Sequence, residues 1–225
     1  MFAAMAIGRL LQKNGIDIEV KDFCGSSCAN YIFPSGKRKL LNETSLIGYH
    51  GGLLQENVFS QFEQLLKTGR NDIGTKFKEG FLSISISNPE VLHELGIPIS
   101  KTKLSKSTYI YLLNYEKKFF EKLSVNQLIT IYGQRGSYCS TYESKKYEGF
   151  YYSIEAMERF GLDNIELLSQ SWKPENNKLA GTAYKIESLN ENLLKKKKLL
   201  SCNVVGCCRF YFRGRLRFEL KIYLR

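Results

Sequence analysis

Apolar side chains fall mainly on one helical face over residues 2–13. Gly15 follows this stretch, and glycine readily adopts the left-handed conformation that ends many helices. Residues 16–20 then alternate between apolar and charged side chains, which is typical of a half-buried strand. The pattern therefore predicts an opening helix that leads into a first strand.

Four short elements are predicted next. In order, they are a turn, an apolar helix, a basic loop and a second strand, at residues 23–27, 28–33, 37–39 and 45–49. The second strand leads directly into His50. Helices and strands alternate at short spacing, which favours parallel strand pairing, because a parallel pair needs a crossover connection. We therefore predict an α/β fold.

Weaker patterns cover the following hundred or so residues. Helices are predicted over residues 54–67, 89–95, 107–123 and 154–160, the last capped by Ser153 and Gly161. Short strands are predicted at residues 150–152 and 162–165. Residues 125–132 fit a helix or a strand, and residues 133–147 form a polar, tyrosine-rich loop.

The regular pattern ends near residue 172. We predict an α/β domain over residues 1–172, a linker over residues 173–194, and a basic, irregular and disordered tail over residues 195–225. Residues 190–225 hold ten lysines and arginines against two glutamates, so most of the net charge of +11 lies there. A solvated tail is the simpler interpretation, and the alternative is attraction to nucleic acid or to an anionic membrane surface.

Six cysteines are present, and none of their spacings matches a zinc-binding pattern. Cys24 lies in the predicted turn and Cys28 directly follows it. They could form a disulfide in an oxidising compartment, although two small buried thiols are the simpler interpretation. The chain shows neither a secretory signal peptide nor an apolar run long enough to span a membrane, so its residues predict no localisation.

Two serines and a histidine are candidates for chemistry. Ser26 and Ser27 precede the apolar helix, and His50 follows the second strand. A serine becomes a nucleophile when a base takes its proton, and the free N–H groups at a helix start, here that of Cys28, can stabilise an oxyanion. Serines at a helix start are more often N-caps, and a lone histidine is more often an ordinary surface residue.

The whole segment from Cys24 to His50 nevertheless resembles the Clp protease proteolytic subunit and its periplasmic or secreted relatives in the Clp/crotonase superfamily. In that family a strand ends in a small-residue turn with a serine, and a helix ends at a glycine nine residues later. A basic loop and a strand then deliver the histidine. Here Ser27 and Gly36 are nine residues apart, and SLIGYH brings His50. The turn CGSSCANY is similar to the spellings Cys-x-Ser-x-Cys and Ser-Ser-Cys-Ala-Asn-Tyr of the secreted relatives.

The resemblance covers residues 1–52 and returns at residues 148–165. It implies a Clp/crotonase-like parallel sheet with flanking helices, and a serine peptidase-like hydrolase that acts by acyl transfer. It assigns Ser27 as nucleophile, His50 as general base and the Cys28 N–H as oxyanion donor. Ser26 is the alternative nucleophile, because the double serine leaves a one-residue ambiguity. The family's acidic residue lies just before the late strand, where this chain has Glu148.

Further expectations come from the same resemblance. The substrate would be a peptide or protein, no cofactor would be needed, the subunits would form a homo-oligomer, and the parent protein would be periplasmic or secreted. The family's first strands and a Gly-Gly loop precede the helix that here begins at Met1. We therefore expect an N-terminally truncated fold, which is either an active or an inactive fragment of a peptidase. The alternative is a non-catalytic binding or assembly protein with the same fold.

Overall fold

The computed structural model describes residues 1–55, 106–144, 146–190 and 194, with the backbone alone for residues 2 and 106–111. The predicted helix at 89–95, nearly all of the one at 54–67 and the tail at 195–225 lie outside these residues. The described helices are α1 Phe2–Asn14, α2 Lys106–Lys122, α3 Cys139–Glu143 and α4 Ile154–Arg159. The strands are β1 Ile18–Val20, β2 Phe23–Gly25, β3 Lys39–Leu41, β4 Leu46–Gly48, β5 Gly149–Tyr152, β6 Ile165–Leu167 and β7 Ala183–Ile186.

The described strands form three small parallel sheets. The first has the order β1-β3-β6, and the other two are the pairs β2-β4 and β5-β7. An isolated antiparallel bridge between Tyr49 and Phe150 joins the end of β4 to β5. The fold is therefore mixed α/β with parallel sheets and flanking helices, as predicted.

A π-helix at Cys28–Ile32 and a 3₁₀ turn at Phe33–Ser35 connect β2 to β3. Helix α1 packs closely on this connection through Gly8, where an added Cβ would lie 2.4 Å from the Tyr31 carbonyl oxygen. Its buried face also includes Met5 and Leu11. The predicted opening helix is thus confirmed, including its end, where Gly15 is left-handed with φ 60.

Two predictions near the serines were wrong. Phe23–Gly25 is a strand rather than part of a turn, so the turn narrows to Ser26 and Ser27. Lys39 is not in a basic loop but begins β3 and is 2% exposed. Its ammonium group donates to the carbonyl oxygens of Gly36 and Asp163, which offsets the cost of burying the charge.

Later predictions are mostly confirmed. Helix α2 lies within one residue of the predicted bounds, and Ser153 caps α4 by accepting from the Ala156 N–H. Residues 125–132, left open between helix and strand, contain a 3₁₀ helix at Gln127–Thr130. The polar loop predicted at 133–147 contains α3 and half-buried tyrosines.

The range predicted as a linker, 173–194, contains strand β7. It pairs with β5 along its whole length and buries Tyr184 and Ile186. Asn177 is also buried, and its amide donates to the backbone carbonyls of Asp22 and Thr44. Regular structure therefore continues past residue 172, beyond the predicted end of the domain. In the part of the chain that the structure describes, no helix is long and apolar enough to cross a membrane.

Candidate functional site

The parallel pairing of β2 and β4 brings the two segments of the candidate site together. Gly25 and Gly48 are register partners at the carboxyl ends of these strands. The next residue, Ser26, continues the pairing by donating its N–H to the Gly48 carbonyl oxygen at 3.1 Å. Because both strands end at the same edge of the sheet, the serine turn and the segment with His50 are neighbours.

His50 contacts Ser26 directly. Its Nε2 lies 2.6 Å from the Ser26 Oγ, and both side chains are half-buried. Ser27 is the N-cap of the π-helix, but its side chain makes no capping hydrogen bond. The structure therefore pairs the histidine with the alternative nucleophile and not with Ser27. Neither serine hydroxyl makes a hydrogen bond that caps the helix.

A disulfide closes the loop around Ser26. Cys24 and Cys28 are bonded, with their Cα atoms 5.3 Å apart, so the interpretation as two buried thiols was wrong. Ser26 adopts a left-handed backbone conformation with φ 58, which residues other than glycine rarely adopt. The disulfide and the β2-β4 pairing hold the two ends of this turn, and they keep the serine hydroxyl directed at His50.

The residues after Ser26 offer backbone donors for an oxyanion. Ser27 is the N-cap and Cys28 the first residue of the π-helix, where no preceding turn supplies acceptors for the N–H groups. In a turn that carries a nucleophile, the N–H of the following residue is a common oxyanion donor. With Ser26 in that place, the nearest donor is Ser27, and the predicted donor Cys28 comes next.

Burial controls the protonation of His50. It lowers the pKa of His50 below its ordinary value, while an interaction with its own backbone and the negative charge of Glu148 act in the opposite direction. The imidazole is therefore neutral at pH 7. When Nε2 carries no proton, it can accept the proton of the Ser26 hydroxyl.

The bridge between Tyr49 and Phe150 brings Glu148 close to His50. The two residues of this bridge exchange both backbone hydrogen bonds, at 2.8 Å each, which brings the start of β5 beside the histidine. Among the residues described, however, no hydrogen bond or ion pair joins the Glu148 carboxylate to His50. Glu148 acts on the imidazole through its charge and does not orient the ring by a direct contact.

Three side chains that the sequence did not single out hold the backbone of His50. Its carbonyl oxygen accepts hydrogen bonds from Gln134 Nε2 at 2.6 Å, from Gln55 Nε2 at 3.1 Å and from the Tyr142 hydroxyl at 3.3 Å. Two of these residues lie more than 80 positions away along the chain. No local pattern marks them, because an amide or a tyrosine in a polar loop has no distinctive spacing.

The described residues contain no cluster of histidine, cysteine and carboxylate side chains that could hold a metal ion. Comparisons of the chain with protein-family models, with curated proteins and with solved structures found no match.

Proposed function

We propose that the protein is a serine hydrolase with Clp-like peptidase chemistry, in which Ser26 is the nucleophile and His50 the general base. The observation that carries this proposal is the 2.6 Å contact between the Ser26 Oγ and the His50 Nε2. An N-cap serine would instead bond to the backbone of its own helix. The left-handed backbone of Ser26 is a second support, because strained positions held by their surroundings cluster at active sites.

The chemistry is acyl transfer to and from Ser26. The Ser26 Oγ attacks a carbonyl carbon while the His50 Nε2 takes the hydroxyl proton. The oxyanion forms next to the N–H groups of Ser27 and Cys28. His50 then gives its proton to the leaving amine, and the bond between that amine and the carbonyl carbon breaks. A water molecule then attacks the acyl carbon while His50 takes one of its protons, and His50 returns that proton to the Ser26 Oγ as the ester bond breaks.

The Clp/crotonase-like fold, a peptide or protein substrate, and a homo-oligomeric assembly belong to the same proposal. The parallel pairing of β2 and β4 on either side of the serine turn supports the fold. In the Cys-x-Ser-x-Cys spelling of the secreted relatives, the central serine corresponds to Ser26. The Cys24–Cys28 disulfide supports a periplasmic or secreted location, since disulfides persist in oxidising compartments.

One observation favours a second candidate, a non-catalytic protein with the same fold. A catalytic histidine is normally oriented by a third group, and Glu148 makes no hydrogen bond to His50. A binding or assembly role would not need that contact.

Labelling with a fluorophosphonate probe separates these candidates. The probe reacts with serines that a neighbouring base has activated, so we expect wild-type protein to be labelled. Ser26→Ala should abolish the labelling and Ser27→Ala should retain it, because His50 contacts only the first of these two hydroxyls.

Loss of labelling in Ser27→Ala alone would contradict the assignment of Ser26. Absence of labelling in folded wild-type protein would favour the non-catalytic candidate. Circular dichroism shows whether each variant is folded, so that a loss of labelling can be attributed to the missing hydroxyl.

A further inference from the structure

Glu116 is a carboxylate that the proposed chemistry does not use. It lies on α2 and is fully buried, at 0% exposed. In the described part of the chain it has no ion-pair partner, and its contacts are with three hydrogen-bond donors. These are the Tyr31 hydroxyl at 2.5 Å, the Gln127 Nε2 at 2.5 Å and the Leu53 N–H at 3.5 Å.

Two of these donors belong to the two segments of the candidate site. Tyr31 lies on the π-helix that starts directly after the serine turn. Leu53 lies in the loop that follows His50. Asn30 reinforces the connection, since its amide donates to the Gly51 carbonyl oxygen at 2.7 Å. Glu116 thus contacts, from a third element, both the helix after the nucleophile and the loop after the base.

A carboxylate is an expensive group to bury. Burial raises the pKa of Glu116 above its ordinary value, and the hydrogen bonds from Tyr31, Gln127 and Leu53 act in the opposite direction. A protein with apolar side chains of similar size in place of buried charged groups is often as stable or more stable. A carboxylate that accepts several hydrogen bonds at once holds its donors in a defined geometry, which an apolar side chain cannot do.

We propose that Glu116 is a positioning residue for the Ser26–His50 pair, which it fixes by holding the Tyr31 hydroxyl and the Leu53 N–H on a single carboxylate. The inference depends on the proposed function. Glu116 contacts neither of the reacting residues and acts through the segments that carry them. It is a role that the sequence did not indicate, because Glu116 lies 63 residues beyond Leu53 and 85 beyond Tyr31.

Glu116→Gln is the most direct test. The glutamine side chain has the same shape, but an NH₂ group replaces one of the two acceptor oxygens. All the groups that bond to this side chain are donors, so the NH₂ group has no acceptor among them. Glu121→Gln is the matched control, because Glu121 lies on the same helix, is 61% exposed and pairs only with Lys117 among the described side chains. We expect Glu116→Gln to lower the rate of fluorophosphonate labelling by about tenfold or more, since small misplacements at a site are costly in rate. Glu121→Gln should leave the rate unchanged.

A second readout does not require activity. The chain has two histidines, His50 and His93, so its imidazole NMR signals are easily assigned with a His93→Gln variant. In Glu116→Gln the loosened His50 should become more solvated, and its pKa should rise toward the ordinary value. Glu148, the charged group that acts on His50, is unchanged in these variants. A carboxylate that only supported the fold would lower stability without moving this titration.

The outcomes separate the two proposals. No labelling of the wild-type protein would refute the proposed function, while the NMR titration would still decide the role of Glu116. Wild-type labelling with the same rate and the same His50 titration in Glu116→Gln would overturn the positioning role. If Glu116→Gln does not fold, Tyr31→Phe decides instead, because it removes one donor and leaves the ring in the core. It should shift both readouts in the same direction, and unchanged readouts would again overturn the inference.

Discussion

Ser26 has a backbone conformation that its side chain disfavours. At φ 58 a residue other than glycine costs about 1 kcal/mol or more. The hydrogen bond to Gly48 and the disulfide hold the residue there. The next residue, Ser27, is in an ordinary helical conformation, with φ −61 and ψ −26. Substitution by glycine should therefore change the free energy of unfolding in opposite directions at these two neighbouring serines.

We expect Ser26→Gly to raise the free energy of unfolding by up to about 1 kcal/mol, because glycine adopts the left-handed conformation without strain. Ser27→Gly should lower it by about 0.5–1 kcal/mol, since glycine gains freedom in the unfolded chain. Urea denaturation of both variants measures the difference. Only Ser26→Gly should also abolish fluorophosphonate labelling. If the two glycine variants shift stability in the same direction, the left-handed conformation of Ser26 is not the source of the strain.

The charge of Glu148 gives a prediction about pH. Glu148 raises the pKa of His50 against the larger effect of burial, which lowers it. Glu148→Gln removes the negative charge, so the His50 pKa should fall further below its ordinary value. Because only the neutral imidazole accepts the serine proton, labelling of the variant should persist to lower pH than labelling of the wild type. NMR titration of the imidazole and the pH profile of labelling both report the shift.

Glu158→Gln serves as the control for this experiment. It removes the same charge on α4, and Glu158 is not among the groups that act on His50. A His50 pKa that rises in Glu148→Gln, or that shifts equally in both variants, would contradict the placement of Glu148 beside the histidine.

The sequence located the contact between Ser26 and His50 to within one position. It placed His50 after a strand and the two serines in a turn, which the structure bears out, but it missed β2, the strand that ends at this turn. The spacing to Gly36 favoured Ser27, but a helix start tolerates a shift of one residue. The choice depends on the backbone angles of the turn and on the Cys24–Cys28 disulfide, and neither follows from the spacing.

At the scale of elements, the bridge between Tyr49 and Phe150 positions the histidine. Gly149 lies beside this bridge, where an added Cβ would be 2.5 Å from the Tyr49 carbonyl oxygen. A backbone atom cannot move aside as a flexible side chain could. Gly149→Ala must therefore push β5 away from the end of β4, and His50 moves with that end.

We expect Gly149→Ala to lower the free energy of unfolding by about 1–3 kcal/mol, as overpacking in a core commonly does, and to weaken labelling strongly. Gly181→Ala is the matched control, since an added Cβ there meets no atom within 4 Å. That variant should be neutral, or more stable by up to about 1 kcal/mol, because alanine restricts the unfolded chain. Thermal denaturation of the two alanine variants checks both expectations. Equal stability losses would show that Gly149 is not tightly packed.

The sequence predicted the elements whose apolar pattern is regular. α1, α2 and α4 were found because their apolar residues recur at helical spacing and their ends carry capping residues. β3 was missed because its first residue is a lysine, and the pattern gives no sign that Gly36 and Asp163 supply acceptors for a buried ammonium group. β7 was missed because its pairing partner, β5, lies more than 30 residues earlier in the chain.

At the scale of the whole molecule, the described structure ends with β7 and the short segment after it. Tyr184 and Ile186 of β7 are buried, and the Tyr184 hydroxyl donates to the Gly133 carbonyl oxygen. Near residue 190, Leu194 donates its N–H to the Asn190 carbonyl oxygen and accepts a hydrogen bond from the Asn126 side chain. The residues predicted as a linker therefore include the strand that completes the sheet with β5.

Two truncations separate the contribution of β7 from that of the basic segment. A chain that ends after Thr182 loses β7, and burial of each large apolar side chain is worth about 1.5–3 kcal/mol, so its melting temperature should fall steeply. A chain that ends after Leu194 keeps β5-β7 and should melt close to the full chain. It lacks ten of the 33 lysines and arginines, so any binding to anionic vesicles or nucleic acid that weakens with salt should disappear in it. Salt-sensitive binding that survives this truncation would place the basic surface in residues 1–194 instead. A chain ending after Thr182 that melts like the full chain would contradict the role of β7 in the fold.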